Sequence, residues 1–176
     1  MKVSKSKEAK GSLISKYIPA DYTGAYRCDF ISSKEIIPDD IQLAFWLSDS
    51  KLVKGLFKLR NILVKPFGLQ ADSSSNNGKL ERILRGEESG EFMKVSDKSE
   101  NETILCLNDK HLKACISAYL EKTSVDNYTL TVTTVVEFHK MLGQVYFFLI
   151  YPFHHLVVKH SIKRAVRSFE DENKNA

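Results

Sequence analysis

The chain has 176 residues, of which 43% are hydrophobic and 27% charged, as expected for one ordinary globular domain. The net charge of +4 is mild. The opening MKVSKSKEAKGS is polar and lacks the apolar core of a secretory signal, so we expect a cytoplasmic protein.

Residues 1–16 are rich in lysine and lack apolar periodicity, which predicts a mobile, disordered N-terminal tail. The first strand is predicted at Tyr22 to Ile31, where apolar side chains at even positions alternate with polar ones. After Pro38 the apolar spacing becomes helical, and two aspartates stand where the positive end of the helix dipole would favour them.

A second helix is predicted over residues 51–65, where leucines recur every three or four positions. Its five lysines and arginines are accompanied by no acid, so this basic helix could also lie on an anionic membrane surface. The Ser-, Asn- and Gly-rich run 70–90 predicts a flexible loop with a short turn near Leu80 to Leu84.

Four more strands are predicted at about 91–96, 102–107, 112–121 and 128–138. Their short connections favour an antiparallel meander. A long helix should follow from about 139 to 169, with residues 170–176 as a frayed tail. This order predicts a single α+β domain, residues 17–169, in which helices cover one face of an antiparallel sheet.

The stretch VYFFLIYPFHHLVVKH, residues 145–160, is the most apolar part of the chain. Its uninterrupted apolar run is too short for a membrane span and contains Pro152, so we expect a kinked helix that the protein's own strands enclose. Four polar residues share one side of that helix and could face water or line a cavity: Gln144, Tyr151, His155 and Lys159.

The three cysteines are odd in number and lack paired spacing, so we expect buried, reduced thiols. The histidines lack metal-binding spacing, and no bound metal is expected. Neither a Walker loop nor a dinucleotide fingerprint occurs, so no cofactor is expected. Aromatic residues sit in core periods and not among the lysines, which disfavours nucleic acid as a partner.

Four phrases together resemble a bacterial family catalogued as domain of unknown function 2867. They are FKLRNILVKPFGL at 57–69, LNDKHLKACIS at 107–117, TVTTVV at 131–136 and LGQVYFFLIYPFHHLVVKH at 142–160. The last is the most specific, and Gly143, Tyr146, Pro152, Phe153 and His154 match the family's helix motif. Lys113 stands where the family usually has an acid. The resemblance implies a helix-grip fold of the Bet v 1 or START type (the SRPBCC superfamily), without implying a particular activity.

The leading hypothesis is that a small hydrophobic or amphipathic ligand binds in a cavity between the sheet and the last helix. The side chains chosen for it combine aromatic walls with polar tips: Trp46, Arg60, Tyr146, Tyr151 and His154. Two alternatives stay open. One is a small enzyme that uses His154 and Tyr146 as acid and base. The other is a peripheral membrane or protein-interaction module that uses the basic helix 51–65.

Overall fold

The computed structural model describes residues 1–47, 77–88, 90, 93–108 and 110–172. Within them, six strands form one antiparallel sheet in the order β1-β2-β6-β5-β4-β3. The strands are β1 (Ser4–Ser6), β2 (Tyr22–Ile31), β3 (Met93–Lys98), β4 (Glu102–Asn108), β5 (Leu112–Lys122) and β6 (Asn127–Phe138). The predicted α+β class and the meander from β3 to β6 are therefore confirmed.

In the described parts of the chain, three α-helices accompany the sheet: α1 (Pro38–Trp46), α2 (Asn77–Leu84) and α3 (Met141–Glu172). Helix α1 begins at a proline, as the sequence predicts, and the Asp40 carboxylate accepts a hydrogen bond from the Ile37 backbone N–H at 3.1 Å. Helix α2 replaces the short turn expected near residues 80–84. The predicted helix 51–65 lies outside the described residues.

The main core lies between one face of the sheet and the helices α1 and α3. The even-numbered side chains of β2 point to this face, which explains the alternation seen in its sequence. From α3, the buried contributions come from its C-terminal half, namely Val158, Ile162 and Val166. Near the N-terminus of α3, Gly143 allows the helix to lie close to the chain just before β5. A Cβ at this position would overlap the carbonyl group of His111.

The opposite face of the sheet carries a short 3-10 helix, Leu13–Tyr17, over a smaller apolar cluster. The Glu102 side chain is 1% exposed and accepts hydrogen bonds from Ser12 Oγ, Ser117 Oγ and the backbone N–H groups of Leu13 and Ile14. This buried carboxylate therefore ties the N-terminal segment to the sheet.

The N-terminal segment differs from the mobile tail expected over residues 1–16. Ser4–Ser6 pair with β2, and Ile14 is fully buried. The segment is held by strand pairing and by hydrogen bonds to Glu102, which is distant in the sequence. Neither interaction requires apolar side chains at regular spacing, so the local sequence does not predict the order. At the other terminus, α3 continues to Glu172.

The first half of α3 is far less enclosed than the sequence predicts. Within residues 145–156, Phe147 alone is buried, whereas Phe148 is 77% exposed. The prediction that the strands wrap this stretch is therefore wrong. At about 1.5 Å per residue the 32-residue helix is about 48 Å long, and only its C-terminal half lies across the core. The helix runs through Pro152 as one element, and the kink stays a prediction.

The cysteines also differ from expectation. Cys106 and Cys115 face each other on the neighbouring strands β4 and β5 and form a disulfide, whereas Cys28 is free and buried. Cys28 is therefore the one buried, reduced thiol of the three that the sequence predicts, and burial raises the pKa of that thiol to about 12. The pairing of strands that are adjacent in the chain explains the disulfide, because it brings two residues nine positions apart into register.

Candidate functional site: a cleft between β2 and α3

An open cleft of about 550 Å³ lies between the N-terminal half of β2 and the middle of α3. Strand β2 supplies Tyr22, Gly24 and Tyr26, and α3 supplies three side chains spaced by four residues, Tyr151, His155 and Lys159. Because i and i+4 lie on the same side of a helix, the three side chains form one row along the cleft. This row is the polar side of the helix noted in the sequence, without Gln144.

Tyr22 is the centre of an aromatic cluster at one end of the cleft. Its ring centroid lies 4.8 Å from that of Phe147, 5.7 Å from that of Tyr151 and 5.6 Å from that of His154. Burial raises the pKa of the Tyr22 hydroxyl to about 12, with smaller contributions from Tyr26 and Tyr151. The hydroxyl therefore stays protonated at neutral pH, when it can donate a hydrogen bond.

Gly24 makes room for this tyrosine. A Cβ at position 24 would overlap the Tyr22 hydroxyl group, because residues two apart on a strand share a face. The absence of a side chain thus lets the Tyr22 ring lie along β2 and leaves the cleft open beside it.

The charged groups at the cleft are mainly basic. Lys5 of β1 and Lys159 of α3 both line it, and Lys159 Nζ lies 5.4 Å from the centre of the Tyr26 ring. That distance is typical of a cation–π contact, which holds the ammonium group at the wall of the cleft. The Asp21 carboxylate also lines the cleft, but it already accepts a hydrogen bond from the Phe138 backbone N–H at 2.6 Å.

His154 belongs to the aromatic cluster, where it contacts Tyr22 and Phe147, but it does not line the cleft. Burial lowers its pKa to about 4, and the charge of His155 adds to this shift, so the imidazole is neutral at pH 7. Within the part of the chain that the structure describes, its buried Nδ1 atom has no hydrogen-bond partner. His154 and Tyr146 are two helical turns apart, about 12 Å along the axis, so they form no direct acid–base pair.

Of the other residues predicted for the site, Tyr151 lies on the cleft and Trp46 lies away from it. Trp46 is on α1, donates its Nε1–H to Gln42 Oε1 at 3.1 Å and packs against two apolar clusters. Its role is in the core. Arg60 lies outside the described residues.

The ligand-binding residues predicted from the sequence do not include Tyr22, Tyr26 or Lys5, and the sequence predicts of His155 and Lys159 only that they could face water or line a cavity. A usable signal exists for the tyrosines, because Tyr22 and Tyr26 flank a glycine on the same face of one strand. No comparable signal exists for Lys5, which reaches the cleft only because β1 pairs with β2. Among the described residues, no group of three or more His, Cys, Asp or Glu side chains could hold a metal ion.

Residues 19–161 match the family described as protein of unknown function (DUF2867), and the chain belongs to that family. The match includes β2, the sheet from β3 to β6 and the part of α3 that lines the cleft. No curated protein and no solved structure matches the chain significantly.

Proposed function

We propose that this protein binds a small amphipathic molecule, with an apolar or aromatic body and an anionic group, in the cleft between β2 and α3. The observation that carries the proposal is the convergence of three tyrosines and two lysines on one cleft of about 550 Å³. That volume falls within the roughly 300–1,000 Å³ typical of small-molecule sites.

The body of the ligand would lie against the rings of Tyr22, Tyr26 and Tyr151. Aromatic side chains bury a large apolar area with few rotatable bonds, and a tyrosine also offers a hydroxyl group at its tip. Phe147 supports this wall from behind, because it is buried and contacts Tyr22 and Tyr151.

The anionic group would lie between Lys5 and Lys159. Ammonium groups make charge-assisted hydrogen bonds with carboxylates, sulfonates and phosphates, which are stronger than neutral hydrogen bonds.

This proposal includes the helix-grip fold that the family resemblance implies. Its support is an antiparallel sheet with a long C-terminal helix packed on one face through Val158, Ile162 and Val166. In such an arrangement a ligand site lies between the sheet and the helix, which is where the cleft lies.

Fluorescence titration with 8-anilinonaphthalene-1-sulfonate, an aromatic sulfonate, tests the cleft directly. We expect saturable binding to the native protein. Lys159→Met removes the charge while keeping the stem, and it should raise Kd about tenfold if the ammonium group binds the sulfonate. Gly24→Ala should also weaken binding, because the new methyl group displaces the Tyr22 hydroxyl group.

Lys94→Met is the matched control, because Lys94 is exposed on β3 and is not part of the cleft. It should leave Kd unchanged. Equal affinities of the Lys159→Met and Lys94→Met variants and the native protein would exclude the cleft as the anion site.

A further inference from the structure

A row of exposed apolar side chains runs along the N-terminal half of α3, on the side away from the core. We call it the α3 stripe, and it consists of Met141, Val145, Phe148, Leu149, Pro152 and Leu156. Successive members are one, three or four residues apart, so all six lie on one face of the helix. From Met141 to Leu156, 16 residues, the stripe extends about 22 Å.

Basic residues continue this face toward the C-terminus. Lys163 lies two turns beyond Leu156 on the same side, and Arg164 and Arg167 are exposed beside it. No Asp or Glu occurs between Glu137 and Glu170. Residues 141–169 of α3 therefore combine an apolar half with a cationic half and contain no carboxylate.

We propose that the α3 stripe and its basic extension dock on the surface of an anionic lipid bilayer, with the helix axis parallel to the membrane. A helix that is apolar on its exposed face and flanked by lysine and arginine inserts its apolar side chains at the boundary between headgroups and acyl chains. The cations then lie among anionic headgroups. This surface borders the cleft on α3, but none of the six residues of the α3 stripe lines the cleft, and the inference does not depend on the ligand.

The packing of α3 favours a helix lying on the membrane over one that crosses it. Among the described residues, the region Met141–Glu170 is long and apolar enough to span a bilayer by length and composition alone. However, Val158, Ile162 and Val166 are buried in the core of the folded domain. The C-terminal half of the helix is thus held by the sheet, and within the described part of α3 the apolar side chains available to lipid are those of the α3 stripe.

Charge favours lipid over a second copy of this chain as the occupant. If two copies met through residues 138–169, that stretch would supply no carboxylate for Lys163 or Arg167 of the other, because it contains no Asp or Glu. An anionic bilayer supplies phosphate and carboxylate groups along the whole helix.

Vesicle flotation of the full chain tests the proposal. We expect binding to vesicles of phosphatidylcholine with about one-third phosphatidylserine at low ionic strength, and much weaker binding to phosphatidylcholine alone. Raising the salt to about 0.5 M should weaken binding, because the charges are at the surface. Phe148→Glu should lower the partition coefficient at least about tenfold, because a large apolar contact is replaced by a repelled charge.

Val125→Glu is the matched control, because Val125 is 81% exposed in the turn between β5 and β6. It adds the same charge away from α3 and should bind like the native protein. The double change Lys163→Gln and Arg167→Gln should weaken binding about fivefold for each residue. Lys94→Gln with Lys110→Gln removes the same charge elsewhere and should have a smaller effect.

Absence of flotation at low salt, or equal losses for Phe148→Glu and Val125→Glu, would overturn the proposal. Light scattering supplies a second readout. A dimer that Phe148→Glu dissociates, in a protein that does not bind vesicles, would show that the α3 stripe contacts a second copy instead.

Discussion

His154 connects the aromatic cluster to the stability of the fold. Its imidazole is held neutral by burial, with a pKa of about 4 against the usual 6.5. Between these two values the unfolded chain binds a proton that the folded chain excludes. The free energy of unfolding should therefore decrease as the pH falls from 6.5 to 4, by about 2 to 3 kcal/mol from this residue.

Urea denaturation at pH 7 and pH 4.5 measures that effect. In His154→Leu, the free energy of unfolding should fall between pH 7 and pH 4.5 by about 2 to 3 kcal/mol less than in the native protein. His139→Gln changes an exposed histidine and should retain the native decrease. An unchanged pH dependence in His154→Leu would contradict the assignment of a buried neutral imidazole.

The elements of the sheet follow from the sequence where their periods are local. The alternation in Tyr22–Ile31 and in Asn127–Phe138 predicts both strands, and the structure confirms them. The packing of α3 could not be predicted in the same way, because residues 145–160 are apolar on most sides and do not indicate which half meets the core. Strand β1 could not be predicted either, because its sequence has no apolar period. Its segment is held in place by pairing with β2 and by hydrogen bonds to Glu102.

The disulfide between β4 and β5 makes a prediction about these two strands. Closing a loop of about ten residues should stabilise the fold by about 2 to 3 kcal/mol. Urea denaturation of the native protein should therefore show lower stability in the presence of dithiothreitol. Thiol titration of the unreduced protein in denaturant should detect one free thiol, that of Cys28.

The control for this prediction is Cys106→Val with Cys115→Val, which cannot form the bond and should respond to the reductant little or not at all. Three titratable thiols in the unreduced native protein would contradict the disulfide. Disulfides are rare in cytosolic proteins, so the bond weighs against the cytoplasmic location expected from the polar N-terminus. That location stays a prediction.

Across the molecule, the cleft and the α3 stripe are neighbours on the same helix. Tyr151, His155 and Lys159 line the cleft, whereas Phe148, Pro152 and Leu156 do not line it and are exposed. Family membership over residues 19–161 does not assign a role to either surface. The ligand site that the sequence predicts between sheet and helix stays a prediction. Of its residues, Trp46 packs against the core and does not line the cleft, whereas Lys5, which the sequence does not indicate, reaches the cleft through strand pairing.

The location of a bound ligand tests the central proposal most directly. In a two-dimensional ¹H–¹⁵N NMR titration with 8-anilinonaphthalene-1-sulfonate, we predict that the largest amide shifts fall in residues 21–26 and 151–159, with Gly24 among them. Shifts confined to residues 141–149, on the α3 stripe, with none at Gly24, would contradict binding in the cleft.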